Sequence, residues 1–294
     1  MKKTLFLILI LILISALVGC HKDQATANVV ATTLPVYEFT TYICHGSDIH
    51  VERLITENVS CLHDYTLKVS QMRAIETAEL IITSGAGLEN FLHDALTSAD
   101  NIIDTSEGIQ LITNCEETAH TASGHSHHHE HDPHIWLSPE NAKIMASNIT
   151  DALSEQYPEH KDLFNENLSE LMCELDALSI YANEQLSALS NKKIITFHDG
   201  FSYMAESFGL EIVHAVEEES GSEASAAELI TLTRIISDYK VKALFTEVNG
   251  STSAASIIAN ETGISIYTLD MAMSQRSYFE AMYHNIDTLK EALQ

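Results

Sequence analysis

At 294 residues the chain is longer than one average domain of roughly 100–200 residues, which points to two lobes. Hydrophobic residues at 45%, charged residues at 19%, 11 Gly and 4 Pro exclude a disordered, collagen-like or low-complexity protein. Forty-two acidic against 15 basic residues give a formal charge of −27, which argues against nucleic acid or anionic lipid as a partner and favours cations near the surface.

The chain opens with Lys2 and Lys3 and an apolar run from Leu5 to Val18. Such a run spans ~21 Å as a helix, short of the ~30 Å hydrocarbon core, so residues 1–19 read as a secretory signal rather than a membrane span. It ends Leu17-Val18-Gly19-Cys20, similar to the lipobox whose Cys receives a diacylglycerol, and residues 20–28 read as a polar tether. With Cys20 acylated, Cys44, Cys61, Cys115 and Cys173 remain; spacing leaves their pairing open, and buried free thiols are the simpler expectation. No C-x-x-C pair is present, which argues against a thiolate zinc knuckle.

From residue 29 onward, short β-rich runs alternate with amphipathic stretches. Strands are expected at 29–33, 50–55, 80–83 and 102–103, with helices at 36–42, 70–78 and 88–95 between them. Residues 116–133, rich in His, Glu, Thr, Ser and Gly, carry no hydrophobic period and read as a loop. A helix from Pro139 to about Gln156 follows. Leu163, Leu168, Leu171, Leu175, Leu178, Leu186 and Leu189 then mark one very long helix over 158–190. The alternation resumes with strands at 193–197, 211–213, 243–246 and 265–269 and helices at 201–208, 224–238, 253–262 and 278–293. The expected fold is α/β: an N-terminal lobe over 29–157 and a C-terminal lobe over 191–294, each with a mostly parallel sheet flanked by helices, joined by one long rigid helix.

Four potential ligands stand where loops meet these elements. His63 lies in Cys61-Leu62-His63-Asp64, His134 in Asp132-Pro133-His134-Ile135-Trp136, His198 directly after an apolar strand, and Asp270 at the end of Tyr267-Thr268-Leu269. Ligands of open parallel sheets collect at the carboxyl ends of strands, and two donors from each half would place one metal between the lobes. Three imidazoles and one carboxylate suit Zn²⁺, whereas Mn²⁺ is better served by more oxygen. Glu247, ending the strand Leu244-Phe245-Thr246, is a candidate partner for an imidazole N–H. Trp136 reads as packing beneath His134. The cluster His120, His125, His127, His128, His129 and His131 reads as a weak, fluctuating metal-capture loop.

The strings C-L-H-D-Y-T-L, S-G-A-G-L-E, D-P-H-I-W-L-S-P, F-H-D-G-F and Y-T-L-D-M, with the lipobox and the His-rich insertion, resemble the zinc and manganese solute-binding lipoproteins of bacterial ABC importers. The resemblance runs in the family's order over essentially the whole mature chain. It implies two α/β lobes on a rigid helix, a metal held by His63, His134, His198 and Asp270, and no catalysis. It also implies Zn²⁺ as cargo with Mn²⁺ as the alternative, an ABC permease and its ATPase as partners, extracytoplasmic attachment through lipid on Cys20, and a monomer. His198 matches the zinc branch; manganese members usually carry a carboxylate there. The chain departs from the pattern at Cys61, where Pro or an acidic residue is common, and at Met271-Ala272, which replaces a frequent Pro-Leu. A zinc hydrolase is disfavoured by the lack of an H-E-x-x-H helix, and a surface adhesin or storage protein is compatible with the same ligands.

Overall fold

The computed structural model describes residues 29–57, 62, 65–97, 99, 101–113, 131–216 and 226–294. Its first sheet contains β1 (Val29–Ala31), β2 (Val51–Arg53), β3 (Leu80–Thr83) and β4 (Ile102–Asp104) in the order β2-β1-β3-β4, all parallel. The second contains β5 (Lys193–Thr196), β6 (Glu211–Ala215), β7 (Ala243–Glu247) and β8 (Ser265–Leu269) in the order β6-β5-β7-β8, again all parallel. The two halves thus share one topology. The unbroken apolar runs Val29-Val30-Ala31 and Leu80-Ile81-Ile82 are buried throughout, as strands covered by helices on both faces require.

Helices α1 (Leu34–Ile43), α2 (Val69–Thr77) and α3 (His93–Leu96) accompany the first sheet, and α6 (Ser202–Phe208), α7 (Ala226–Tyr239) and α8 (Ser253–Thr262) the second. Between them run α4 (Pro139–Gln156) and α5 (Lys161–Leu186), and α9 (Tyr278–Leu293) closes the chain. Helix α4 starts where Ser138 caps the Asn141 N–H and Pro139 occupies the first turn. It buries Ala142, Met145, Ala146, Ile149 and Leu153 along one face. Helix α5, 26 residues and ~39 Å long, buries Phe164, Leu171, Leu175, Leu178, Ala182 and Leu186 against α1, α4 and α9. One continuous core therefore runs from Ile81 in the first sheet, through Leu175, to Phe245 and Leu269 in the second. The other face of the second sheet has its own cluster around Ile195, Leu232, Leu244 and Ile258.

The expected elements otherwise agree to within two residues at each end, but two expected helices differ more. The stretch predicted as one helix over 88–95 is a 3₁₀ turn, Leu88–Leu92, followed by the short α3. Glu89 is drawn inward there, accepting hydrogen bonds from Thr32 Oγ1 and the backbone N–H groups of Ser84 and Gly85, which holds it off helical geometry (φ −88°, ψ 18°). The long helix predicted over 158–190 begins as a 3₁₀ turn at Pro158–His160 and stops at Leu186, because the chain folds back so that the Leu189 N–H reaches the Leu186 carbonyl. Cys173, expected as a buried thiol, is exposed on α5; Cys44 is buried, and desolvation pushes its pKa up to about 12. Cys20, Cys61 and Cys115, with the signal and tether, lie outside the described residues. Among the described residues no helix is long and apolar enough to cross a membrane.

Candidate metal centre

His134 sits on the segment leading from the first half into α4. The preceding stretch, the end of the His-rich insertion, is tied down: His131 bridges Thr113, the Asp132 N–H donates to the Ile112 carbonyl, and Tyr203 Oη donates to the Asp132 carbonyl. Residues 131–133 form the anchored end of the expected loop, while His120, His125, His127, His128 and His129 lie outside the described residues. Asp132 then turns its Oδ1 back on the histidine, accepting from the backbone N–H of His134 at 2.9 Å and from its Nδ1 at 2.7 Å. A carboxylate can only accept, so the proton is on Nδ1 and the Nε2 lone pair points away from Asp132. Burial pushes the Asp132 carboxyl up, but the hydrogen bonds it accepts from the ring and backbone of His134 help outweigh it, and the group lies below the usual carboxylate range. Trp136, fully buried, stacks edge-on to the His134 ring with centroids 5.5 Å apart and donates from Nε1 to the Met271 carbonyl at 2.8 Å.

His198 arrives from the other half, two residues beyond β5. Its Nε2 lies 3.4 Å from His134 Nε2, with the rings nearly perpendicular at 83°. Gly200 lies directly under both: a Cβ there would come within 2.6–2.8 Å of His198 Cδ2 and Nε2 and of His134 Cε1. Only a residue without a side chain lets the two rings approach in this way.

The strand register brings two carboxylates to the same sheet edge. Thr196 pairs with Phe245 and Glu247 with Leu269, so His198, Glu247 and Asp270 follow one another along the carboxyl ends of β5, β7 and β8. Glu247 is nearly buried, its Oε2 has no hydrogen-bond partner among the described residues, and desolvation raises its pKa to about 7 against the pull of His134. Asp270 is fully buried and engaged on every side. Its Oδ1 accepts from the Ala272 N–H, and its Oδ2 accepts from Ser274 Oγ at 2.6 Å and Arg276 Nη1 at 3.1 Å. Its backbone N–H and C=O both pair with the Asn285 amide. The structure therefore brings His134 and His198 together with Glu247 beside them, and sets Asp270 at the adjoining strand end. Among the described residues no third His, Cys, Asp or Glu completes a metal-ligating group with the pair, and His63 lies outside those residues. Gly200, Asp132 and Arg276 were not singled out from the sequence. The D-x-H spacing, which allows an Asp to turn back on the His two residues later, is a signal that could have found Asp132.

The donor set is one for a borderline-soft cation: paired imidazoles, one with its tautomer fixed by a carboxylate, and an orphaned buried carboxylate oxygen nearby. Two parallel sheets on a long helix, with facing histidines contributed by both halves, define a two-lobed binding protein. Residues 29–292 match the sequence model of the ZnuA family, described as zinc-uptake complex component A, periplasmic, and the chain belongs to that family of substrate-binding proteins, whose members are not enzymes. It is 29% identical over 288 residues to a putative metal-binding protein of Treponema pallidum, covering 92% of this chain and 88% of the relative. It is 30% identical over 292 residues to the zinc-binding lipoprotein AdcA of Streptococcus pneumoniae, covering 94% of this chain but 58% of AdcA, so the chain spans little more than half of that relative. Among solved structures, a crystal structure of ZnuA superposes with a TM-score of 0.77 at 26% identity, over 91% of this chain and all of that one.

Proposed function

We propose that this protein captures extracytoplasmic Zn²⁺ and delivers it to an ABC permease and its ATPase, by reversible coordination between the two lobes through His63, His134, His198 and the carboxylate of Asp270. Lipid on Cys20 holds it at the membrane, and the His-rich loop supplies weak capture sites. The observation that carries the reading is the meeting of His134 Nε2 and His198 Nε2 at 3.4 Å, one from each half, over a glycine that leaves them room. The Zn(II)-bound AdcA structure from Streptococcus pneumoniae, 28% identical with a TM-score of 0.75, supports zinc as the cargo.

The test is a chelator-competition titration of the mature protein at substoichiometric Zn²⁺, so that only the tightest site fills. His63→Ala, His134→Ala and His198→Ala should each cost more than the ~100-fold typical of losing a group that only orients a ligand. His198→Glu should shift preference toward Mn²⁺ by adding hard oxygen. Wild-type affinity in His198→Ala would refute the interlobe site.

A further inference from the structure

We propose that Arg276 limits the affinity of the metal site by keeping a positive charge on the Asp270 carboxylate. The inference rests on the reading above, in which Asp270 is one of the zinc donors. A carboxylate as deeply buried as Asp270 needs compensation, and here it is supplied by one cation and two neutral donors: Arg276 Nη1 and Ser274 Oγ on Oδ2, and the Ala272 N–H on Oδ1. Oδ2 has both lone pairs occupied, and Oδ1 has one left. A dication approaching Asp270 therefore either shares the carboxylate with the guanidinium or displaces it. Both outcomes weaken binding relative to a carboxylate held by neutral donors alone, because the two cations repel across one anion.

The surroundings fit such a role. The Arg276 side chain is 43% exposed while that of Asp270 is 1% exposed, so the guanidinium can leave for water without dragging the buried carboxylate with it. Ser274 and the Ala272 N–H remain to orient Asp270 when Arg276 departs. Arg276 makes no other ion pair among the described residues, although its charge also reaches the exposed Glu280. For a protein that must give its cargo up, a resident counter-ion ready to reclaim the carboxylate favours release.

The experiment compares wild type, Arg276→Gln, Arg276→Lys, Asp270→Asn and the double variant Asp270→Asn/Arg276→Gln as full mature chains, by Zn²⁺ competition titration and stopped-flow release to chelator. Arg276→Gln should bind Zn²⁺ about tenfold tighter and release it correspondingly more slowly. Arg276→Lys, which keeps the charge, should stay within about threefold of wild type. In the Asp270→Asn background, the gain from Arg276→Gln should vanish. Without metal, thermal melts should show Arg276→Gln less stable than wild type, and the two substitutions should be non-additive, because they break one pair. Unchanged or weaker Zn²⁺ binding in Arg276→Gln overturns the proposal, as does Lys behaving like Gln or a gain that persists without the Asp270 charge. If wild type lacks a tight site, or His198→Ala keeps it, the interlobe reading itself fails. If the site is present and tight but indifferent to Arg276, only this inference falls.

Discussion

Single side chains decide how the two histidines present themselves. Asp132 fixes the tautomer of His134, so Asp132→Asn should leave the fold intact and weaken Zn²⁺ binding by about 10- to 100-fold, read by the same competition titration. Gly200→Ala tests the opposite constraint: its methyl would intrude on both rings, and the expected loss of zinc affinity should come with no change in the far-ultraviolet circular dichroism. In the first half, Glu89 provides a pH signature. Burial lifts its pKa from 4.5 to about 6 despite hydrogen bonds from Thr32, Ser84 and Gly85. A carboxyl with a raised folded-state pKa contributes most below the unfolded value, and that contribution is lost as pH rises through about 6. At ~1.4 kcal/mol per pH unit the contribution is about 2 kcal/mol. Denaturant unfolding at pH 4.5 and pH 7 should show wild type losing about that much relative to Glu89→Gln as pH rises; a constant difference between the two proteins would exclude it.

At the scale of elements, α7 ends on a residue that its backbone does not suit. Lys240 adopts φ +54° as the Val241 N–H reaches back to the Ile236 carbonyl, a left-handed helix stop that glycine fills without strain. Lys240→Gly should therefore stabilise the metal-free protein by about 0.5–1 kcal/mol, seen as a higher denaturant midpoint at unchanged slope. The same level shows what the sequence made legible. β3, β8, α4, α8 and α9 have the bounds read from the chain, because each is an apolar run or stripe closed by a local stop such as Pro139, Gly263 or the Ser277–Glu280 capping box. The misreadings arose where a hydrogen bond outside the helical pattern prevailed: Thr32, 57 positions away, helps turn Glu89 inward, and a tight local turn follows Leu186. His134, His198 and Trp136 stood out through residue type and motif. Gly200 and Arg276 did not, since their roles depend on partners that only the assembled sheets bring near.

For the molecule as a whole, the continuous core from the first sheet through α5 to the second implies joint unfolding despite two sheets. Scanning calorimetry of the metal-free protein should give one transition, and Leu175→Ala, buried mid-helix, should cost about 2–5 kcal/mol of stability and move that transition to lower temperature without splitting it. Two resolved transitions would mean that the halves melt independently. The charge of −27 acts over longer distances: Zn²⁺ association should slow as ionic strength rises while dissociation changes little.

The Trp136 anchor has a mechanical consequence. Its indole donates to Met271 beyond β8, and its carbonyl accepts from Tyr278 Oη at the start of α9, so the turn carrying His134 is fastened to the opposite half by two buried hydrogen bonds. Swinging the halves apart would have to break both in a water-free setting, at about 1–3 kcal/mol for each group left unsatisfied. The molecule therefore works less like a clamshell than like a riveted frame. Spin-label distances measured across the two sheets should change little between metal-free and zinc-loaded protein, leaving the traffic of metal to side chains and loops at the rim.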